Sequence, residues 1–562
     1  MAIITLSAMT NALPSHSRIS RHVLACAIAS ALLVPVSVQA AGLDVRARVS
    51  AKTIFQELKP AEQQKRSLTT LSIEPEVTAT YESRTLNGLW QGSLNHLDRD
   101  REDVGQTDNY GEYNYDVRWT PLDNLLLFQA NGALTYQNAN AANFLVTDVL
   151  TNSQNLVKAR SNRYSASLQL NNGNYVRGTG TLSYSDVQTE RAVFTNNQGL
   201  DNDTYLASGS LRNGERASRL IWNVNGDYVV TKRNGFVSFQ SDFISRSGDA
   251  AVDYMVLRNW GVRVNAAHEA NQLSQRTDTA SRVREFNSYG IGLTYRQGEN
   301  RYIAVTANQT DSSVAEDDNI DFVGVDMAWA LSSRSDVAAK YSRRFFGETA
   351  QASFNYNTKH FRSSFRYSED VTNTSRLLAN PENLGVFVCP VDSSALAECF
   401  QPASLGYQPG SSERLVQLTT QNIEFDDNII VRKSGNGELG YSFSRVTLGI
   451  SGRYSEDNFI DDDRLIRTYS GGVSLAYSLG SYTQLTAKVD YADIEQRSTD
   501  LQSGSSQNWN SKIGLRREIG RYLVADLDFS YLDKRGDLAI GSLFGPEYTD
   551  RRVSLSISYR YE

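Results

Sequence analysis

The ten residues 553–562 read VSLSISYRYE. Val553, Leu555, Ile557, Tyr559 and Tyr561 share one parity; Ser554, Ser556, Ser558, Arg560 and Glu562 share the other. Strict alternation at period two specifies a strand with one apolar face and one wet face. Such a strand at a terminus presents a row of unpaired amides and carbonyls. Pairing with the chain's own first strand removes that edge and closes a barrel.

The same pattern recurs along the chain. Leu43, Val45, Ala47, Val49 and Ala51 alternate with Asp44, Arg46, Arg48, Ser50 and Lys52, so 43–51 is the expected partner of the closing strand. A polar stretch, 56–67, follows it. Pro75 lacks an amide donor and is expected at an irregularity in the second strand. Short turns at 121–124, 171–174, 297–300, 331–336, 357–359, 479–482 and 518–521 interleave with long polar stretches. The long ones are 138–162, 188–203, 269–284, 369–435, 454–464, 494–507 and 533–547. Outer-membrane barrels alternate short periplasmic turns with longer external loops in this way. The expected fold is all-β: a transmembrane antiparallel up-and-down β-barrel of about 24 strands (22–26). The stretch 235–257 reads either as a hairpin or as one crossing; one crossing is preferred, because it keeps even parity with both termini periplasmic.

Mean hydropathy is −0.42, too polar for a helical membrane protein. Alternating lipid-facing and lumen-facing residues give a barrel a low mean. The longest apolar run, 23–36, follows Arg18 and Arg21 and precedes Val38-Gln39-Ala40. This reads as a signal peptide over 1–40, with the barrel occupying 41–562. The run is too short for a stable membrane anchor. Cys26 sits ahead of most of it, which does not suit a lipoprotein box. Removing 1–40 takes away two arginines and no acid, leaving 54 basic against 63 acidic residues, a net charge of −9. That balance excludes a basic nucleic-acid footprint. Cys389 and Cys399 remain, an even pair expected to form one disulfide in an exported chain.

Arg46, Arg48, Arg118, Arg177, Arg263, Lys488, Asp490, Asp526 and Asp528 fall on the inward parity and are the candidate lumen residues. Their mixed sign argues for no ion selectivity, and pairing along the wall is the expected use of each. Trp119, Trp260, Tyr302, Tyr482, Tyr522, Tyr559 and Tyr561 lie near strand ends and suit an interfacial girdle. A lumen this wide calls for a plug. The candidate is the loop 369–435, stapled by Cys389 and Cys399; so short a closure contributes roughly 3 kcal/mol in the chain-entropy model. A separate protein or a polymer in the lumen is the other possibility.

Catalytic signals are sparse. His96, His268 and His360 are far apart and lack metal-ligand spacing. There is no G-x-S-x-G elbow and no phosphate-cradling loop. Acidic runs at 316–318 and 461–463 read as solvated loops, with Ca²⁺ binding the sharper alternative. The tripeptide Arg535-Gly536-Asp537 is a chance-level match to an adhesive motif. No enzyme activity and no cofactor are expected.

Ile73-Glu74-Pro75 entering an early strand, the turn Leu257-Arg258-Asn259-Trp260 and the cysteine-bearing late loop give the chain a family likeness. It resembles the outer-membrane β-barrel proteins associated with PEP-CTERM/exosortase and exopolysaccharide loci. The resemblance implies a conduit or scaffold for surface-polymer export in the Gram-negative outer membrane. Its implied partners are outer-membrane lipid and lipopolysaccharide, the barrel-assembly machinery, and polysaccharide-export proteins or a lumen-filling partner. A general diffusion porin, a sheath around a periplasmic partner and a barrel hydrolase are the alternatives. The sheath barrels of electron conduits carry an early Cys-x-x-Cys, which residues 41–562 lack. Tyr559 and Tyr561 are read as the aromatic assembly signal, displaced from the end by Glu562.

Overall fold

The computed structural model describes residues 42–561, except 101–105, 123–124, 152, 192–198, 235–241, 274–281, 313–319, 380–385, 391–412, 418–423, 425–427, 460–462, 500–501 and 540–541. Residues 1–41 and 562 lie outside the described residues, and with them the whole of the expected signal peptide, 1–40.

Twenty-four antiparallel strands among the described residues form one closed ring in chain order. The first strand, Leu43–Pro60, pairs with the second, Arg66–Glu82, and with the closing strand, Tyr548–Tyr561. Ala47 stands opposite Tyr561, Val49 opposite Tyr559 and Ala51 opposite Ile557, so the outward rows of the two strands coincide. The first strand is longer than the alternation 43–51 indicated: it continues through Gln56 and Leu58 to Pro60. Its upper half looked like a loop because its inward side chains serve the lumen. Gln56 and Leu58 are both buried there.

Outward apolar side chains such as Phe55, Phe529, Leu555 and Ile557 are about half exposed. A ring of exposed apolar residues around a closed barrel has lipid as its solvent. Trp119, Trp260, Tyr482, Tyr522, Tyr559 and Tyr561 are exposed at the short-turn end. Tyr302 departs from the girdle: its hydroxyl donates to Asp326 at 3.1 Å, on the lumen side. Its position near a strand end suited the girdle; its parity, opposite to exposed Ile303 and Val305, decides otherwise. Pro75 sits at a gap in the ladder, since Glu74 and Pro75 have no partners on the strand Leu86–Arg99. The segment 235–257 contributes one crossing, Phe243–Met255, followed by a turn that carries Leu257.

Several long polar stretches are not loops. Val446–Phe459 and Arg464–Gly480 leave only 460–463 between them, and Thr483–Arg497 and Gly504–Ile519 leave 498–503. Beyond the bilayer both faces of a strand are wet, so alternation fades while pairing continues. One external connection is a two-residue turn, Phe345-Phe346, between Ser335–Arg344 and Gly347–Asn357. The two rings meet edge to face at 5.2 Å and pack against a cluster of Phe243, Val371, Ile429 and Val431.

The ring is drawn in at its external end. With strand spacing of about 4.8 Å and tilt of about 40°, a circular 24-strand barrel has a radius of about 24 Å. Strands ten positions apart then lie roughly 45 Å across. The strand Phe361–Asn373 runs directly into a helix, Thr374–Ala379, which touches Leu156–Leu170, Val176–Thr189 and Asp201–Asn213. The middle one of those three is ten positions away. Six helical residues rise only about 9 Å. The two walls therefore converge there, and the lumen is narrow between them.

Candidate functional site

The feature that defines the lumen is the connection 139–151. It leaves the strand Leu126–Asn138, dips inside the ring and returns to Leu156–Leu170. Asn140 caps a single 3-10 turn, its side chain accepting from the Ala142 amide at 2.8 Å. Leu145 follows with φ of 70°, a left-handed conformation that costs a branched residue roughly 1–2 kcal/mol. Bonds to the distant wall hold it.

Those bonds come from the strands Gly504–Ile519, Leu523–Gly536 and Tyr548–Tyr561, a quarter of the ring away. Ser506 Oγ and Asn508 Nδ2 donate to the Ala142 carbonyl at 2.9 and 3.0 Å. Asn508 also donates to the Phe144 carbonyl at 2.7 Å. Lys534 Nζ donates to Asn143 Oδ1 at 2.6 Å, and the Tyr548 hydroxyl to the Val146 carbonyl at 3.3 Å. Val146, Leu58, Phe544 and Tyr548 form an apolar cluster beside them.

An ionic anchor completes the attachment. Arg552 donates to Asp148 and, at 2.7 Å, to Asp550. Asp550 also accepts from Gln56 at 2.8 Å and from Thr151 at 2.5 Å. Burial by itself raises the Asp148 carboxyl. The Arg552 guanidinium and the amides of Thr151 and Leu150 outweigh it and hold the carboxyl below its ordinary range.

The helix Thr374–Ala379 meets this loop from the other side. Leu377 packs with Ala141, Phe144, Ile430 and Phe459. Leu378 and Ala379 pack with Ala139, Val157, Val187 and Leu200. Asn202 donates to Ser375 Oγ at 2.6 Å, and Arg464 pairs with Glu424 at 2.6 Å. The described beginning of the stretch 369–435 thus turns inward. The principal crossing element is nevertheless 139–151, which the alternation assigned to an external loop. Its signal was compositional: Phe144, Leu145, Val146, Val149 and Leu150 are too apolar a set for a solvated loop. Cys389 lies in Val386–Pro390, paired with Glu413–Gln417; Cys399 lies outside the described residues, and so does the expected disulfide.

The predicted inward charges pair locally along the wall. Arg46 meets Asp44 at 2.9 Å, Arg48 meets Glu76, and Arg118 meets Asp116 at 3.0 Å. Lys488 and Asp490 are 2.8 Å apart; Asp528 meets Lys512 at 3.2 Å and Asp526 meets Arg516 at 3.8 Å. Two bridges reach farther. Arg177 and Arg212 share Glu299 at 2.9 Å each, across the lumen at the short-turn end. Arg263 forks onto Asp253 at 2.6 and 2.9 Å and reaches Asp326, while Arg296 donates to Asp253 at 2.8 Å. Both guanidiniums lie over the Tyr302 ring, at 5.2 and 4.3 Å.

His96, His268 and His360 are separate, bonded to Asn109, Asn287 and the Ser442 carbonyl. Among the described residues no group of three His, Cys, Asp or Glu side chains is placed to hold a metal ion. Of the acidic loop runs, 316–318, Asp461 and Asp462 lie outside the described residues. In the Arg535-Gly536-Asp537 tripeptide, Arg535 pairs with Asp533 at 2.8 Å and Asp537 accepts from the Ser505 amide at 2.6 Å.

Ring closure, an exposed apolar exterior and a polar interior define a transmembrane β-barrel, and one whose lumen its own chain crosses. No protein-family model and no curated protein matches the sequence. Solved barrels align with it. The FrpB iron transporter from Neisseria meningitidis (F3-3 variant) is 10% identical, with 92% of this chain and 81% of that one covered and a TM-score of 0.39. The siderophore receptor PirA from Acinetobacter baumannii is 8% identical, with 92% and 80% covered and a TM-score of 0.41. OmpT, an outer membrane protein of Vibrio cholerae, is 8% identical, with 92% and 97% covered and a TM-score of 0.29. Similarity at this level transfers no residue role and no substrate.

Proposed function

We propose that this chain is an outer-membrane conduit, closed by its own loops and opened for export of a surface polymer, an exopolysaccharide by the family resemblance. The observation that carries the gate is the attachment of 139–151 to the far wall. It consists of side-chain bonds to backbone carbonyls, one ammonium–amide contact, one ionic anchor and the apolar packing of Phe144 and Val146. The polar contacts are exchangeable for water and none of the attachment is strand pairing, so the loop can leave without unpairing a strand. Local pairing of the lumen charges supports a hydrophilic polymer without strong charge as cargo, because little unpaired field remains to select ions. Polysaccharide-export proteins at the periplasmic mouth are the proposed partners. The reading assigns no catalytic step.

The test is a tethered gate. Asn143→Cys with Lys534→Cys, bridged by a bis-maleimide that carries an internal disulfide and replaces the reach of the lysine, places a reducible crosslink between the loop and the wall where they now touch. In a strain lacking the native gene, surface polysaccharide should be lost with the oxidised tether and restored on reduction. Normal export through the oxidised tether would refute the gate. Unchanged surface polymer in the gene deletion itself would refute the cargo.

A further inference from the structure

The lipid-facing surface is not evenly convex. Where the strands from Leu126–Asn138 to Leu220–Arg233 are drawn toward the lumen, their outer side carries an apolar groove of about 880 Å³. Trp119, Phe128, Tyr164, Tyr184, Tyr205 and Tyr228 wall it. Trp119 and Phe128 stack at 5.2 Å, and Tyr164, Tyr184 and Tyr205 form a continuous ring row at 6.3 and 5.2 Å. Ala166 and Ala207 form its floor. The next outward row is Gly180, Gly209, Gly226 and Gly248, paired strand to strand. A Cβ at any of them would meet nothing closer than 3.6 Å, so barrel packing does not demand these glycines.

The external edge of the groove carries two cations. Lys232 Nζ lies 5.4 Å from the Tyr205 ring and the Arg246 guanidinium 5.9 Å from the Tyr228 ring. Both are exposed, and neither pairs with a carboxylate among the described residues. Asp203 stands opposite Lys232 in the ladder, on the same outward face, with its two oxygens turned to other donors. Asp203 accepts from Tyr184 at 2.7 Å and from Asn234 at 2.8 Å; Asp186 accepts from Asn162 at 3.1 Å and faces Arg160 at 3.6 Å. Rings hold the cations at the level where an apolar cleft meets the external water.

We infer that this groove seats one phosphate-bearing lipid of the outer leaflet, its acyl chains against the tyrosine row and its phosphate between Lys232 and Arg246. Charge complementarity selects the occupant. Neutral acyl chains alone would cover the groove without two unpaired cations, and a transmembrane helix or second barrel would have to desolvate them. The inference stands independently of the gate.

The test uses the full-length folded barrel, purified in mild detergent and mixed with diphosphoryl lipid A or with phosphatidylcholine. Native mass spectrometry counts the retained lipid; heat-dependent gel mobility confirms folding. The wild type should keep one lipid A and release phosphatidylcholine. Lys232→Glu with Arg246→Glu should lower retention at least about tenfold. Gly209→Leu, which fills the groove from the lipid side and leaves both cations in place, should lower it as well. Equal retention of phosphatidylcholine, or indifference to charge reversal, would overturn the assignment. So would displacement of the lipid by inorganic phosphate alone, which would mark a free-anion site. A dimer that Gly209→Leu dissociates regardless of lipid would make the groove a copy interface and overturn it too.

Discussion

Lys534 reaches from the barrel wall into the lumen and donates to Asn143 Oδ1 at 2.6 Å, with a second bond to the Leu538 carbonyl at 3.1 Å. The side chain is 1% exposed, and among the described residues no carboxylate pairs with it. A buried ammonium with only neutral acceptors is an expensive way to hold a loop. It makes sense where attachment must be reversible: once the loop leaves, water can reach the ammonium.

Lys534→Met should therefore separate gating from stability. The stem still packs, the desolvated charge is gone, and the wall should be as stable as the wild type or more so. The loop loses one anchor, and openings in single-channel records should become more frequent. A lower unfolding midpoint with unchanged gating would show that Lys534 serves the wall.

Arg552→Ala should be the more damaging change. It leaves Asp550, fully buried, with only Gln56 and Thr151 as donors. An uncompensated buried charge of this kind costs about 3 kcal/mol. Unfolding in denaturant should show a loss of that order, together with constant opening. Arg552→Lys should recover part of both.

Acid should release the same anchor, late. The Asp148 carboxyl is held below its ordinary range in the folded state. Its contribution is then complete above the unfolded value of about 3.9 and is lost only as pH falls through the lower folded value. Channel records should stay closed from pH 7 to pH 5 and open below about pH 4. Opening between pH 6 and 7 would point to a different group.

Arg263→Lys keeps the charge but not the fork that spans Asp253 and Asp326. A lysine can satisfy one carboxylate at a time. Unfolding should shift by about 1–3 kcal/mol with the gate unaffected, because this network sits at the short-turn end. A change in gating without a change in stability would contradict that separation.

Tyr561 faces outward opposite Ala47 and is half exposed. Tyr561→Ala should impair membrane insertion. Folded yield after assembly into membranes measures it. Normal yield for Tyr561→Ala would count against an assembly role for this aromatic.

Much of the barrel was legible because a strand between lipid and lumen must alternate. Leu555, Ile557 and Tyr559 could take no other arrangement without exposing serines to lipid. Legibility ended where that constraint did. Above the bilayer, residues 454–459 pair as strand but carry no alternation, so they read as loop. The inward parity of Arg46, Lys488 and Asp526 could be read from their neighbours; their partners could not, because register is not visible in one strand. The crossing loop was harder still. Residues 139–151 lack both periods, and only their apolar content set them apart from solvated connections. The ring's inward draw depends on contacts between strands ten positions apart, for which no local pattern exists.

The central claim is that residues 139–151 close the lumen. Replacing them with a short Gly-Ser link and recording conductance in planar bilayers tests it most directly. The wild type should be silent or open rarely, and the replaced chain should conduct steadily with ohmic current. A wild type that already conducts as much as the replaced chain would contradict the account.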